Sequence, residues 1–263
     1  MKRKLRPESW PVYGLMLLFA LFLTKSGLAQ VTVLPENNGS GGSRAGSVVI
    51  GTSEVQSGLV PVSPYYGYSY SQTLYLQSEI NTPNQMIKRI GYQYRGATAQ
   101  LPLELEVYLS HTDATSLPQT VQLATHTKVY DGPVTFDIAN DFTLIELDAY
   151  YYNNVDNLIV TIIEKLPGWS SPSDVFNVTA VTGGDVLCRY MRNDGTPYDP
   201  ASLPDGNPEA NRPNIRIEFI DVPTEPVIAL VPQVLDFGQV ELTQSQTRQI
   251  IAKNTGGGTL TIT

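Results

Sequence analysis

A single cysteine, Cys188, occurs in 263 residues, so no intramolecular disulfide can staple the fold. Stability must come from an apolar core, and a chain of this length has ample residues to build one. Cys188 lies in the strand-like run Val186-Leu187-Cys188-Arg189-Tyr190, where a free thiol is expected to be buried as a small hydrophobe. Histidine is almost as scarce, with His111 and His126 alone. Neither belongs to a G-x-S-x-G, H-E-x-x-H or Cys-His pattern, and both are expected in turns or at the surface. Catalysis is poorly provisioned, and the chain reads as a non-enzyme.

Positive charge is also short. Five of the 17 basic residues and one of the 25 acidic ones lie before Gln30, and the remainder holds 12 against 24, a net charge of −12. Nucleic-acid affinity rests on Lys and Arg displacing counterions, so nucleic acid is excluded as a main partner. The same argument disfavours anionic membrane surfaces.

Long hydrophobic runs are missing but for one. Gly14 to Leu23 is continuously apolar, follows Lys2, Arg3, Lys4 and Arg6, and precedes the small-residue stretch Gly27-Leu28-Ala29. That is the layout of a secretory signal peptide, with cleavage expected between Ala29 and Gln30. The run is about half of the ~20 residues that a spanning helix needs, which weighs against the competing reading of a retained anchor. No cysteine follows it to carry a lipid. Residues 1–29 are thus read as a leader, and the mature chain as secreted or cell-surface with no membrane span.

What is present is turn chemistry and alternation. The chain has 15 Tyr, 19 Pro and 21 Gly, and no long helical periodicity after residue 30. Residues 30–47 run through Asn-Asn-Gly-Ser-Gly-Gly-Ser, a flexible linker composition, and order is expected from about Val48. From Tyr66 to Leu76 even positions are apolar or aromatic and odd ones small or polar, a period of two with one face inward. The same alternation returns at Ile90, Tyr92, Tyr94, at Leu103, Leu105, Val107, Leu109, and at Val134, Phe136, Ile138. Leu158 to Ile163 is apolar on both faces, which predicts a central strand covered on both sides. Further strands are expected at 143–147, 175–182, 186–191 and 215–219. Ten to twelve short strands and no confident helix give an all-β fold, a jelly-roll-like antiparallel β-sandwich over residues 48–222. Val222-Pro223-Thr224-Glu225-Pro226 breaks the ladder and marks a domain boundary. Residues 223–263 then hold three or four strands, too few to close a sandwich, so a truncated second module and a longer parent protein are expected.

Two resemblances accompany this reading. Pro232-x-x-Leu235-Asp236-Phe237-Gly238-x-Val240 and Asn254-Thr255-Gly256-Gly257-Gly258-Thr259-Leu260-Thr261-Ile262 resemble the choice-of-anchor D modules of bacterial surface proteins, relatives of the ASH/HYDIN-like immunoglobulin folds. The resemblance implies an immunoglobulin-like spacer rather than a catalyst. Residues 48–222 resemble the N-terminal adhesin-like jelly rolls of secreted Bacteroidetes proteins. The resembling stretches are Tyr66 to Leu76, Val107-Tyr108-Leu109-Ser110-His111-Thr112, Asp156-Asn157-Leu158-Ile159-Val160, Tyr190-Met191-Arg192-Asn193-Asp194 and Arg212-Pro213-Asn214-Ile215. That resemblance implies surface contact and carries no defined activity.

Three groups of residues are candidates for function. Asn193, Asp194 and Asp199 crowd hard oxygen donors into a bent loop and could hold Ca²⁺, although Asx residues also make ordinary turns. Trp169, in Pro167-Gly168-Trp169-Ser170-Ser171, is the leading exposed aromatic, with Tyr65 and Tyr75 expected on the outward face of the tyrosine-rich strand. Glu104 and Glu106 share a strand face at a spacing a glycosidase pair would need, but alternation reads them as a solvated face. The composite expectation is a secreted, non-catalytic binding or adhesion protein that meets an extracellular protein or glycan. A carbohydrate-binding accessory module of a secreted hydrolase is the first alternative and an enzyme using an unrecognised carboxylate pair the second, and no cofactor is required beyond the calcium just considered.

Overall fold

The computed structural model describes residues 44–82, 85–223, 225–231, 251–254 and 259–261. The expected leader and most of the expected linker lie outside them, and every strand described falls within Asn38–Leu260. Among the described residues the regular structure is almost entirely strand. The first sheet orders β1 (Arg44–Ile50), β13 (Ile215–Ile220), β4 (Gln85–Tyr92) and β7 (Thr143–Tyr152). The second orders β11 (Asn207–Glu209), β10 (Cys188–Asn193), β3 (Tyr68–Tyr75), β8 (Asn157–Glu164), β5 (Gln100–Thr112) and β6 (Thr127–Asp137). A small third sheet joins β12 (Asn211–Pro213), β9 (Phe176–Ala180) and β2 (Val55–Ser57). All the pairings are antiparallel. The fold is an antiparallel β-sandwich.

Its core follows from the alternation. Leu103, Leu105, Val107 and Leu109 of β5 and Leu158, Val160 and Ile162 of β8 share one face and pack in one cluster with Ile87, Ile90, Ile145, Ile217 and Phe219 of the first sheet. Each such side chain, fully buried, contributes about 1.5–3 kcal/mol. β8 is apolar on both faces because it lies between β3 and β5. Its other face packs Ile159 with Leu74, Leu117 and Leu187, and Ile163 with Tyr70, Tyr108, Leu123 and Leu203. Loop residues thus form a second apolar layer on the outer side of the six-stranded sheet.

That layer corrects the simple alternation expected for β3, which is buried on both faces. Ser69, Ser71 and Thr73, expected to point to solvent, lie inward beneath the 59–64 loop and are 2% exposed or less. Small hydroxyl residues fit there because that loop supplies partners: Ser71 Oγ donates to Pro61 O at 2.5 Å, and Ser63 N donates to Ser69 Oγ at 2.9 Å. A second correction concerns the linker. β1 starts at Arg44, and residues 44–47 pair with β13 through backbone hydrogen bonds that need no apolar side chain. Two short helical pieces were not expected: α1 (Gln77–Ile80) and a 3₁₀ turn (Leu123–Thr125).

Beyond Pro223, β14 (Ile228–Val231) pairs antiparallel with β15 (Ile251–Asn254). Of the other strands expected of the second module, the one at 235–240 lies outside the described residues, and the one at 259–263 is not seen over its described part, 259–261. No helix among the described residues is long and apolar enough to cross a membrane.

Candidate ligand-binding surface

Antiparallel register brings three side chains into one row at an end of the six-stranded sheet. Arg192 of β10 lies opposite Ser69 of β3, and Ser69 lies opposite Glu164 of β8, all on the inward side. Past Glu164 the chain leaves the sheet as a strap, residues 165–174, that crosses the turn at 64–67. Three amides tie strap to turn: Gly168 N donates to Gly67 O at 3.2 Å, Trp169 N to Tyr66 O at 3.5 Å, and Ser170 N to Pro64 O at 2.9 Å.

Both ends of the strap are held by buried carboxyl groups. Glu164 is wholly shielded from solvent; its Oε2 accepts from Ser69 Oγ at 2.8 Å, while Oε1 has no hydrogen-bond partner. Burial, only partly offset by the Ser69 hydrogen bond, pushes its pKa up to about 8. Gly168 is required above it, because a Cβ there would sit 2.5 Å from Glu164 Oε1 and 2.8 Å from Pro64 O. At the other end Asp174 Oδ1 accepts from Tyr94 Oη at 2.6 Å and Thr98 N at 2.9 Å, and Oδ2 from Thr98 Oγ1 at 2.8 Å and Ser171 N at 3.1 Å. Burial opposes its ionisation, but these donors outweigh it and hold the pKa at about 2.

Between the anchors stands Trp169, 57% exposed, with its backbone at φ +46°. A bulky residue in the left-handed region carries strain that the surrounding bonds must offset. The indole edge reaches the turn: a Cβ on Gly67 would lie 3.3 Å from Trp169 Cζ2 and 3.2 Å from the Asp194 backbone. Tyr65, 49% exposed, stands edge-on to Tyr66 at 5.5 Å between ring centroids. The Arg192 guanidinium lies over the Tyr66 ring at 4.2 Å. Trp169, Tyr65, Tyr66 and Arg192 therefore compose an aromatic corner with one cation.

The expected site residues separate on this frame. Trp169 and Tyr65 come to the same corner, and Asp194 joins them by accepting from Gly67 N at 3.1 Å. Tyr75, expected as an exposed contact, is corrected: it is fully buried, donates to Pro213 O at 3.1 Å, and lies under the Arg212 guanidinium at 5.3 Å. Its ring is sealed because it faces the sandwich interior, so it cannot meet a ligand. Of the calcium candidates, Asn193 Oδ1 accepts from Gly195 N at 2.8 Å and Thr196 N at 2.9 Å, and Asp199 Oδ1 from Ala201 N at 2.9 Å. These are Asx turns, the plain reading of such residues. No group of three or more His, Cys, Asp or Glu fit to hold a metal occurs among the described residues.

The remaining polar candidates are built into the sandwich. Glu106, read as solvated, is 8% exposed, accepting from Tyr108 Oη at 2.7 Å and from Lys128 Nζ at 3.3 Å. His111 is in β5 rather than a turn; Nδ1 lies 3.0 Å from Tyr150 Oη, Nε2 accepts from Asn153 N at 3.3 Å, and the ring stacks on Tyr152. His126 is buried, with neither ring nitrogen hydrogen-bonded, and burial pulls its pKa down to about 4. Cys188 is buried as expected, and burial pushes its thiol up to about 12. A groove of about 380 Å³ lined by Thr52, Glu54, Gln56, Gln93, Arg95, Asp141 and Asn177 is polar throughout, and Arg95 is already paired with Asp141 at 3.1 Å.

Sequence reasoning missed Tyr66, Arg192, Glu164 and Asp174 as parts of this corner. Arg192 lies one residue past the strand expected at 186–191, and the row Arg192, Ser69, Glu164 exists only once the register of three strands is known. No protein-family model, curated protein or solved structure matches the chain.

Proposed function

We propose that this is a secreted or cell-surface, non-catalytic binding protein that meets an extracellular glycan through the Trp169 corner. One observation carries the reading: an exposed indole is held in a strained backbone conformation on a strap pinned at both ends by buried carboxyl groups. Strain maintained by its surroundings at a surface aromatic points from geometry to use. An indole flanked by tyrosines offers flat apolar faces to the C–H side of a pyranose, and the ring edges and phenols offer polar contacts. The export leader supplies the compartment in which glycans are met. The histidines support a non-catalytic role, since His111 is engaged by Tyr150 and Asn153 and His126 is sealed without partners.

A polysaccharide and glycan-array panel with the wild-type protein and Trp169→Ala tests this. Retention of one or more glycans by the wild type, lost at least tenfold in Trp169→Ala with an unchanged melting temperature, is the expected result. Equal binding by the two proteins, or no glycan bound at all, overturns it. Service as an accessory module of a hydrolase would use the same surface and differs only in what the chain is joined to.

A further inference from the structure

Among the described residues the cations are nearly all neutralised. Nine Lys and Arg side chains are described between residues 46 and 223, and eight of them bridge to a carboxylate at 3.4 Å or less. In a chain with 12 basic and 24 acidic residues after its leader, an arginine without a carboxylate is the improbable arrangement. Arg192 is that arginine. Its guanidinium rests on the Tyr66 ring at 4.2 Å and lies 5.9 Å from the centre of the Tyr190 ring, half-buried beside exposed Tyr65 and on the sheet end that Trp169 overhangs. Contact with one ring and proximity to a second hold the guanidinium by cation–π attraction, and its N–H groups, bonded to no acceptor among the described residues, can take a planar carboxylate in bidentate fashion.

We infer that the glycan bound at the Trp169 corner carries an isolated carboxylated pyranose, its ring on the indole and its carboxylate on Arg192. This rests on the glycan-binding reading above and names its ligand class. Isolation of the acidic sugar follows from charge: a net −12 surface repels a dense polyanion, whereas one carboxylate among neutral sugars meets mainly the local cation. Asp194 is the opposing charge. Its Oδ1 accepts from Gly67 N, which keeps a negative group near the incoming carboxylate and tempers affinity.

Titration calorimetry against five short probes tests the inference: a tetrasaccharide with one glucuronate on xylotriose, its methyl ester, plain xylotriose, 3′-sialyllactose and lactose. The expected result is at least a tenfold preference for a carboxylated probe over its ester or neutral parent, the uronate and sialate arms telling which source of the carboxylate fits. Arg192→Gln should abolish that preference, Arg192→Lys should restore only part of it, and Asp194→Asn should raise affinity a few-fold. Equal affinity of the wild type for the uronate and its ester, together with equal affinity for sialyllactose and lactose, overturns the inference without relying on any variant. If neutral sugars bind, Trp169→Ala abolishes that binding and Arg192→Gln changes nothing, the acidic ligand falls and the platform stands. If no probe or array glycan binds, both fall.

Discussion

Ser69 Oγ donates to Glu164 Oε2 at 2.8 Å, and the opposite oxygen of the same carboxyl group, Oε1, is buried without a partner. The pair lies under Gly168, so the state of one proton is felt directly beneath the strap that carries Trp169.

Stability should therefore depend on pH from two sides. Glu164 is raised from 4.5 to about 8, so between those values the folded chain holds a proton that the unfolded chain has released. Its contribution is full below pH 4.5 and is lost as pH rises through 8, a few kcal/mol in all. His126 is lowered from 6.5 to about 4, so the unfolded chain binds a proton that the folded one refuses, and its contribution is lost as pH falls through 4. The two slopes oppose one another between about pH 4.5 and 6.5, giving a plateau with a decline on either side. Denaturant midpoints from pH 4 to 9 should show it. Glu164→Gln should flatten the alkaline limb and His126→Leu the acid limb; an unchanged alkaline limb in Glu164→Gln contradicts the assignment.

Asp174 fastens the far end of the strap with four hydrogen bonds, three of them to Tyr94 and Thr98. Asp174→Ala leaves Tyr94 Oη and Thr98 N without this acceptor and should cost about 2–4 kcal/mol. Hydrogen exchange should quicken over residues 165–174 more than over β5 or β8. Uniform protection loss across the sandwich would deny the strap its separate anchor.

Arg189 fastens the outer loop layer. Although only 7% exposed, it donates through Nε to Leu117 O at 2.6 Å and through the two Nη groups to Pro118 O and Gly206 O, and it pairs with Asp205 at 3.3 Å. Three carbonyls from two loops converge on one planar fork that lysine cannot reproduce. Arg189→Ala should lower stability by about 3–5 kcal/mol, and Arg189→Lys should recover less than half of that in the same denaturant titration. Full recovery by lysine would mean that charge, not the fork, is what the loops need.

Calcium removal should leave the protein unmoved. Asn193, Asp194 and Asp199 each give an oxygen to a backbone amide in the described structure. A calorimetric melting temperature within about 1 °C with and without chelator is expected, since metal bound to the folded state alone would raise it. A rise of several degrees on adding Ca²⁺ would return these residues to a metal site.

The sheets were legible because they rest on local pattern. Leu158 to Ile163 announced a strand covered on both sides, and β8 lies at the centre of the six-stranded sheet. The burial of Tyr75 and of Ser69, Ser71 and Thr73 was not legible, because it depends on what covers their shared face, the sandwich interior and the 59–64 loop, while loops bearing Leu117 and Leu203 cover Leu74 and Tyr70 on the other face. Trp169 and Tyr65 could be chosen from loop context and aromatic character. Their neighbour Arg192 could not, since its meaning lies in a missing ion pair, and pairing across strands is set by register rather than by sequence spacing.

The strap has a kinetic corollary. With the backbone hydrogen bonds already made, residue 169 has little main-chain freedom left to surrender, so under the proposed glycan-binding role association should be a single fast phase governed by encounter, and differences among ligands should appear in how slowly they depart.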